Sequence, residues 1–342
     1  TWFDMTDNWQ RNMKSSFGKS VLISNTRIAM PVGIFTGLQL TGATIRDCLT
    51  RAETQIETIM ALHDHLNPDV LLTAMDLSVE AELFGSEIVM SDHEIPTVVG
   101  RRLTSLSEIE NLSIPEIGDG RTRVQLETCD RLVKNVKIPV FGSTIGPLSL
   151  AGRLFGVSET MMMSMTDPVA LHRLLEKVTQ FLINYLMAFR GVGTTGIIMA
   201  EPVAGLLSPS GLGQFSSHYI KQIVQKTVNE EFTIILHNCG ARLIHLEKIL
   251  ESGAEIYHFS SPMDLLKALK KVDHEVILGG NLDPTHIFFN GTEENTFEHT
   301  SLLMERTSEY QNFIISSGCD IPPNSPIKNL ETFFKTVREF QQ

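Results

Sequence analysis

Short, largely apolar runs recur along the chain, at residues 70–74, 138–142, 196–200, 233–236, 255–259, 275–278 and 313–315. They are rich in Ile, Val and Leu and do not alternate with polar residues. That pattern predicts strands covered on both faces. Between them, stretches at 51–66, 168–190, 212–228, 243–252, 263–271, 293–310 and 327–340 carry apolar residues at helical spacing. Strand and helix in repeated alternation predict a parallel sheet. Seven such units with an N-terminal one predict an α/β fold, a (β/α)8 TIM barrel. No Pro/Gly/Ser-rich linker interrupts the pattern, so residues 1–342 are expected to form a single domain. Residues 1–50 are less regular and predict an N-terminal helical extension under the barrel, with 30–41 nearer the mouth. Residues 77–135 read as a long insertion that contributes to a lid.

In a barrel of this kind the chemistry sits where strands end. Those ends carry Asp76, Ser143, Thr144, Glu201, His237, Cys239, Ser260, Asn281, Cys319 and Asp320. Ser, Asp and Asn also cap helices at such positions, so the His/Cys set is the more telling. His237 and Cys239 are two residues apart, a spacing that puts both side chains on one face of a strand. Cys319 arrives from a different strand. One imidazole and two thiolates favour zinc over magnesium or calcium. Three protein ligands leave a position open, as catalytic zinc requires. The competing reading is a hydrogen-bonded core histidine beside two small apolar cysteines.

Composition narrows the class. The chain has 28 Lys and Arg against 40 Asp and Glu, a formal net charge of −12. With no long basic run, nucleic acid is not an expected partner. Four cysteines, Cys48, Cys129, Cys239 and Cys319, are too few for a disulfide scaffold. Cys48 and Cys129 fall in helical patterns and read as packing residues. His63 and His65 lie on a polar helix. His172, His245, His274 and His299 read as surface positions, and His258 as a residue that faces the core. The chain opens without a signal-peptide pattern, and its most apolar stretch, 181–189, is too short to span a bilayer. A cytoplasmic protein with free thiolates and no membrane association is expected.

Several longer motifs accompany the His/Cys set: Asp76-Leu-Ser-Val-Glu-Ala-Glu-Leu-Phe-Gly, Gly146-Pro-Leu-Ser-Leu-Ala-Gly-Arg-Leu-Phe-Gly, Glu201-Pro-Val-Ala-Gly-Leu-Leu-Ser-Pro, His237-Asn-Cys-Gly, Gly279-Gly-Asn-Leu-Asp-Pro and Ser317-Gly-Cys-Asp-Ile-Pro-Pro. Over most of its length the chain thereby resembles the uroporphyrinogen decarboxylase superfamily, in its corrinoid-dependent methyltransferase branch. The resemblance implies a barrel whose mouth docks a separate corrinoid protein. It also implies zinc on His237, Cys239 and Cys319, as in methylcobamide:coenzyme M methyltransferases, where zinc binds the thiol of the methyl acceptor. True decarboxylases of the superfamily keep arginines in an N-terminal substrate loop and have His where this chain has Cys319. The comparable segment here, Met30-Pro-Val-Gly-Ile-Phe-Thr-Gly-Leu, has no arginine. Coenzyme M enzymes have an acidic residue where this chain has Ser260.

The expected function is therefore zinc-dependent transfer of a methyl group between a small molecule and the cobalt of a partner corrinoid protein. The small molecule is a thiol acceptor or a methylated donor such as a methyl ether. Glu201 and Asp76 are the expected catalytic residues, Glu201 as acid, orienting group or fourth ligand. Ser260 and Asn281 are read as substrate-binding. Tetrapyrrole decarboxylation and a non-catalytic binding barrel are the alternatives, and a homodimer is left open.

Overall fold

The structure is a computed structural model that describes residues 14–340. The remainder of the predicted N-terminal extension, residues 1–13, lies outside the described residues. All seven predicted runs form strands of one parallel sheet. They are β1 (Leu71–Leu72), β4 (Val140–Ile145), β5 (Gly196–Ala200), β6 (Thr233–Asn238), β7 (Ile256–Phe259), β8 (Ile277–Leu282) and β9 (Phe313–Ser317), hydrogen-bonded in that order. Two further strands, β2 (Glu87–Val89) and β3 (Thr97–Val99), form a separate antiparallel hairpin within the 77–135 insertion. That insertion is not a bare loop. It also holds helices Val79–Leu83, Leu106–Glu110 and Gly120–Asn135.

Every residue of β4, β5, β6, β7 and β9 is buried. Helices cover the outer face, chief among them Pro168–Gly191, which buries Leu174, Val178, Phe181, Tyr185 and Phe189. Asp167 caps that helix by accepting from Ala170 N, with Pro168 at its first position. Strands covered on both sides have no polar face to show, which is why their runs lack alternation.

Four strands run further than their apolar cores. β4, β6, β8 and β9 continue through Ser143, His237, Asn281 and Ser316. The parallel ladder accepts polar residues there because their side chains find partners inside the sheet, such as Ser143 Oγ donating to Ala74 O. A segment before β1 bridges β9 and also contacts a residue just ahead of β1. Ala29 forms a parallel bridge with Ile315 of β9, with Met30 N donating to Ile315 O at 2.9 Å and Ile315 N to Ile28 O at 3.0 Å. On its other side Ala29 N donates to Asp69 Oδ2 at 2.7 Å, just ahead of β1. Helix Ser16–Ile23 lies at the opposite pole from the site. Ser16 N donates to Glu230 O before β6, and Ser15 N to Glu255 Oε1 before β7.

Candidate metal centre

β6 carries His237, and the turn just beyond its last residue, Asn238, carries Cys239. The intervening Asn238 turns away and donates from Nδ2 to Glu201 O. His237 and Cys239 thus converge although only His237 lies in the strand. Cys319 follows the end of β9. Cys239 Sγ is 2.7 Å from His237 Nε2 and 3.4 Å from Cys319 Sγ. The three ligand atoms lie within 4.8 Å of one another, the one such group of His, Cys and carboxylates among the described residues.

Close backbone packing fixes this geometry. A Cβ on Gly205, in the loop after β5, would sit 2.8 Å from the carbonyl carbon of Gly240. A Cβ on Gly318 would sit 3.0 Å from Ser260 Cα, so β7's end is pressed against the residue before Cys319. His245 ties the same loops together. It accepts from Arg242 N through Nδ1 and donates from Nε2 to Leu207 O, and it is buried rather than on the surface.

The two sulfurs are in hydrogen-bond contact. Their contact lowers the Cys319 thiol to about 4. The same bond, with burial, raises Cys239. A site that already stabilises one thiolate suits a soft divalent cation, and one imidazole with two sulfurs matches the preferences of zinc. Cys48 and Cys129 contrast with this pair. Both are buried, and burial pushes Cys48 up to about 12 and Cys129 higher still. They are packing residues.

His237 has a partner on its far side. Its Nδ1 is 2.7 Å from Nδ1 of His258, whose Nε2 is 2.8 Å from Ser316 Oγ. Sequence reasoning gave His258 no role. The signal was the register, since aligned strand ends put residues 237 and 258 opposite each other in neighbouring strands.

The predicted carboxylates lie outside the ligand group. Glu201 is fully buried and holds the start of helix Pro147–Phe155. It accepts from Leu148 N at 3.0 Å and Ser149 N at 2.7 Å, from Ser149 Oγ, and from Ser216 Oγ at 3.3 Å. Burial nonetheless raises it to about 7. Asp76 is paired with Arg121 and accepts from Ser78 N and Oγ. Arg121 also reaches Glu82 at 2.5 Å. Asn281 donates from Nδ2 to Ser260 O and Met263 O, so its amide braces the turn that presents Ser260. Asp320, beside Cys319, has one buried oxygen without a hydrogen-bond partner, and burial together with the Cys319 charge raises it well above the usual carboxylate range.

Residues 21–340 match the family model described as uroporphyrinogen decarboxylase (URO-D). The chain belongs to the uroporphyrinogen decarboxylase family. Its relatives in that family include methyltransferases. The methylcobamide:CoM methyltransferase MtbA of Methanosarcina acetivorans is 25% identical over 309 residues, covering 89% of each chain. A uroporphyrinogen decarboxylase of Ruthia magnifica is 24% identical over 301 residues, covering 85% of this chain and 86% of its own. Among solved structures, a methyltransferase from Methanosarcina mazei superposes with a TM-score of 0.86 at 22% identity, over 94% of this chain and 97% of that one. The fold is thus that of the uroporphyrinogen decarboxylase family. The methyltransferase relatives agree with the branch to which the His237-Asn-Cys-Gly and Gly-Cys319 motifs point. Among the described residues, no helix is long and apolar enough to cross a membrane.

Proposed function

We propose that this chain is a zinc-dependent methyltransferase that moves a methyl group between a small substrate and the cobalt of a separate corrinoid protein. The observation that carries the reading is the His237, Cys239 and Cys319 cluster, three soft-to-borderline donors within 4.8 Å on the ends of two strands. His237 Nε2 and the two sulfurs would hold the ion. Bound zinc would supply Lewis acidity, lowering the pKa of a thiol acceptor or polarising the oxygen of a methyl ether. Metal would bind the cysteines as thiolates, so filling the site would release thiol protons. In this reading the strands and residues 28–30 together make the (β/α)8 barrel, with the cluster at its mouth.

The remaining residues shape that mouth. Asn281 holds the turn in which Ser260 meets Gly318, next to Cys319, and a substrate-binding role is proposed for both. Glu201 anchors the helix beside the mouth through its first free N–H groups, where a carboxylate is favoured. Asp76 and Arg121 fix the entry to the 77–135 insertion. The segment from Met30 to Leu38 packs its backbone against Ile321, with Ile321 N donating to Val32 O at 2.7 Å. It offers no guanidinium for a polycarboxylate, which supports methyl transfer over tetrapyrrole decarboxylation.

Two measurements test the proposal. Protein purified without chelator is expected to carry about one zinc per chain, and both Cys319→Ser and His237→Ala to lose most of it. Equal zinc in wild type and Cys319→Ser would sink the metal reading. Mixed with a corrinoid protein reduced to Co(I) and a methylated substrate, the enzyme is expected to produce methyl-Co(III) absorbance, lost in His237→Ala. Decarboxylation of a porphyrinogen with no change in the cobalt spectrum would make the decarboxylase reading correct instead.

A further inference from the structure

Behind the cluster runs a continuous chain of polar groups: His237 Nδ1, His258 Nδ1 and Nε2, Ser316 Oγ, and the carbonyl of Met30. Successive members are 2.7, 2.8 and 2.5 Å apart. Both histidines and Ser316 are fully buried, at 0% exposure. The direction of each bond follows from the inner end. Ser316 Oγ lies within reach of two carbonyls, Met30 O at 2.5 Å and Ser317 O at 2.9 Å. Carbonyls only accept, so the single hydroxyl proton goes to one of them. Ser316 Oγ must then accept from His258 Nε2–H.

One proton lies between the two Nδ1 atoms. On His258 it would make that ring a doubly protonated cation, fully buried, and among the described residues no carboxylate is bonded to it. Burying an unpaired charge of that kind is strongly unfavourable. On His237 both rings are neutral and every bond in the chain is satisfied. His237 therefore carries its proton on Nδ1 and turns a bare Nε2 toward Cys239 and Cys319. The opposite tautomer would aim an N–H at the place a cation must occupy.

We infer that His258, backed by Ser316, is a positioning residue that holds His237 in the tautomer able to ligate a metal. The inference rests on the proposed metal reading for its use, but its geometry stands without the ion. It adds to the site two residues that supply no ligand atom. It also explains why a polar pair is buried at a level of the sheet where β5 and β6 are otherwise lined by Ile, Met and Leu.

Gln at 258 can accept from His237 Nδ1–H through its amide oxygen and donate to Ser316 through its amide nitrogen, whereas Met of similar length can do neither. Zinc affinity, read by competition with a chromogenic chelator, is expected to fall ten- to a hundred-fold in His258→Met and to stay within about threefold of wild type in His258→Gln. Ser316→Ala, which removes the inner acceptor, is expected to fall between the two. Melting of the metal-free proteins, compared alongside, separates loss of ligation from loss of folding. The 15N spectrum of metal-free wild type, with labelled histidine, is expected to show His237 protonated at Nδ1, a readout that does not depend on any variant folding. Wild-type zinc affinity in His258→Met, equal losses in the Gln and Met variants, or a His237 protonated at Nε2 would each overturn the inference. A wild type with the expected tautomer that binds no zinc would overturn the metal reading and, with it, the ligating purpose given to His258.

Discussion

Single residues here are held at odds with their ordinary chemistry, and Glu80 shows it without any metal involved. It is buried, accepts from Thr144 Oγ1 at 2.6 Å and Ile145 N at 3.2 Å, and leaves its second oxygen unpartnered. Burial raises its carboxyl from 4.5 to about 7. Between those values the folded chain keeps a proton that the unfolded chain has released. Stability therefore falls as pH rises through that window and levels off above it. A rise from 4.5 to about 7 corresponds to roughly 3 kcal/mol. Glu80→Gln keeps an acceptor for Thr144 and Ile145 but cannot ionise. Urea unfolding at pH 5 and pH 8 is expected to show a smaller loss for Glu80→Gln than for wild type, by an amount of that order. Identical losses in the two proteins would mean that Glu80 is not strained by its charge. Residue type and spacing at strand ends pointed to His237, Cys239 and Cys319, and their ligand atoms do come together. It did not reveal His258 or the duties of Glu201, since a buried polar side chain announces its partner only when the strands are laid in register.

At the scale of elements, the apolar runs marked every strand of the parallel sheet, because a strand covered on both faces leaves an unbroken hydrophobic trace. The boundaries were less legible. Strands β4, β6, β8 and β9 extend into polar residues whose partners come from distant parts of the chain. The hairpin of β2 and β3 left no signal, being short and partly exposed. Two contacts between elements yield further predictions. Arg121, from helix Gly120–Asn135, is the buried counterion of Asp76 after β1. Arg121→Met would strand that carboxylate, and is expected to destabilise the fold by about 3–5 kcal/mol in denaturant unfolding; a loss below about 1 kcal/mol, the scale of an exposed pair, would contradict this. Gly205 and Gly240 bring the loops after β5 and β6 into backbone contact. Gly205→Ala must push the Cys239 turn outward, at a cost of about 1–3 kcal/mol. Its zinc affinity is expected to fall while that of the exposed control Gly191→Ala, which has open space around its Cα, stays unchanged.

For the whole molecule, the net charge of −12 bears on how a protein partner would approach. Attraction between exposed charges is screened over about 8 Å at physiological ionic strength and about 3 Å at 1 M. The apparent KM for the proposed corrinoid-protein partner is therefore expected to rise several-fold between ~0.05 and ~0.5 M salt, with kcat little changed. A KM indifferent to salt would show that the docking face makes no use of the acidic surface. The parallel bridge between Ala29 and Ile315 has a consequence of another kind. It joins residue 29 to residue 315, which is made long after it, and Ser316 reaches Met30 at the same level. A ribosome-bound chain can assemble β4 through β8 while this seam is still open and Cys319 is still unmade. Any product of premature termination before residue 319 would hold at most two of the three donors. Such fragments would compete poorly for metal, and the proposed zinc would be captured only once β9 has met the segment around Ala29.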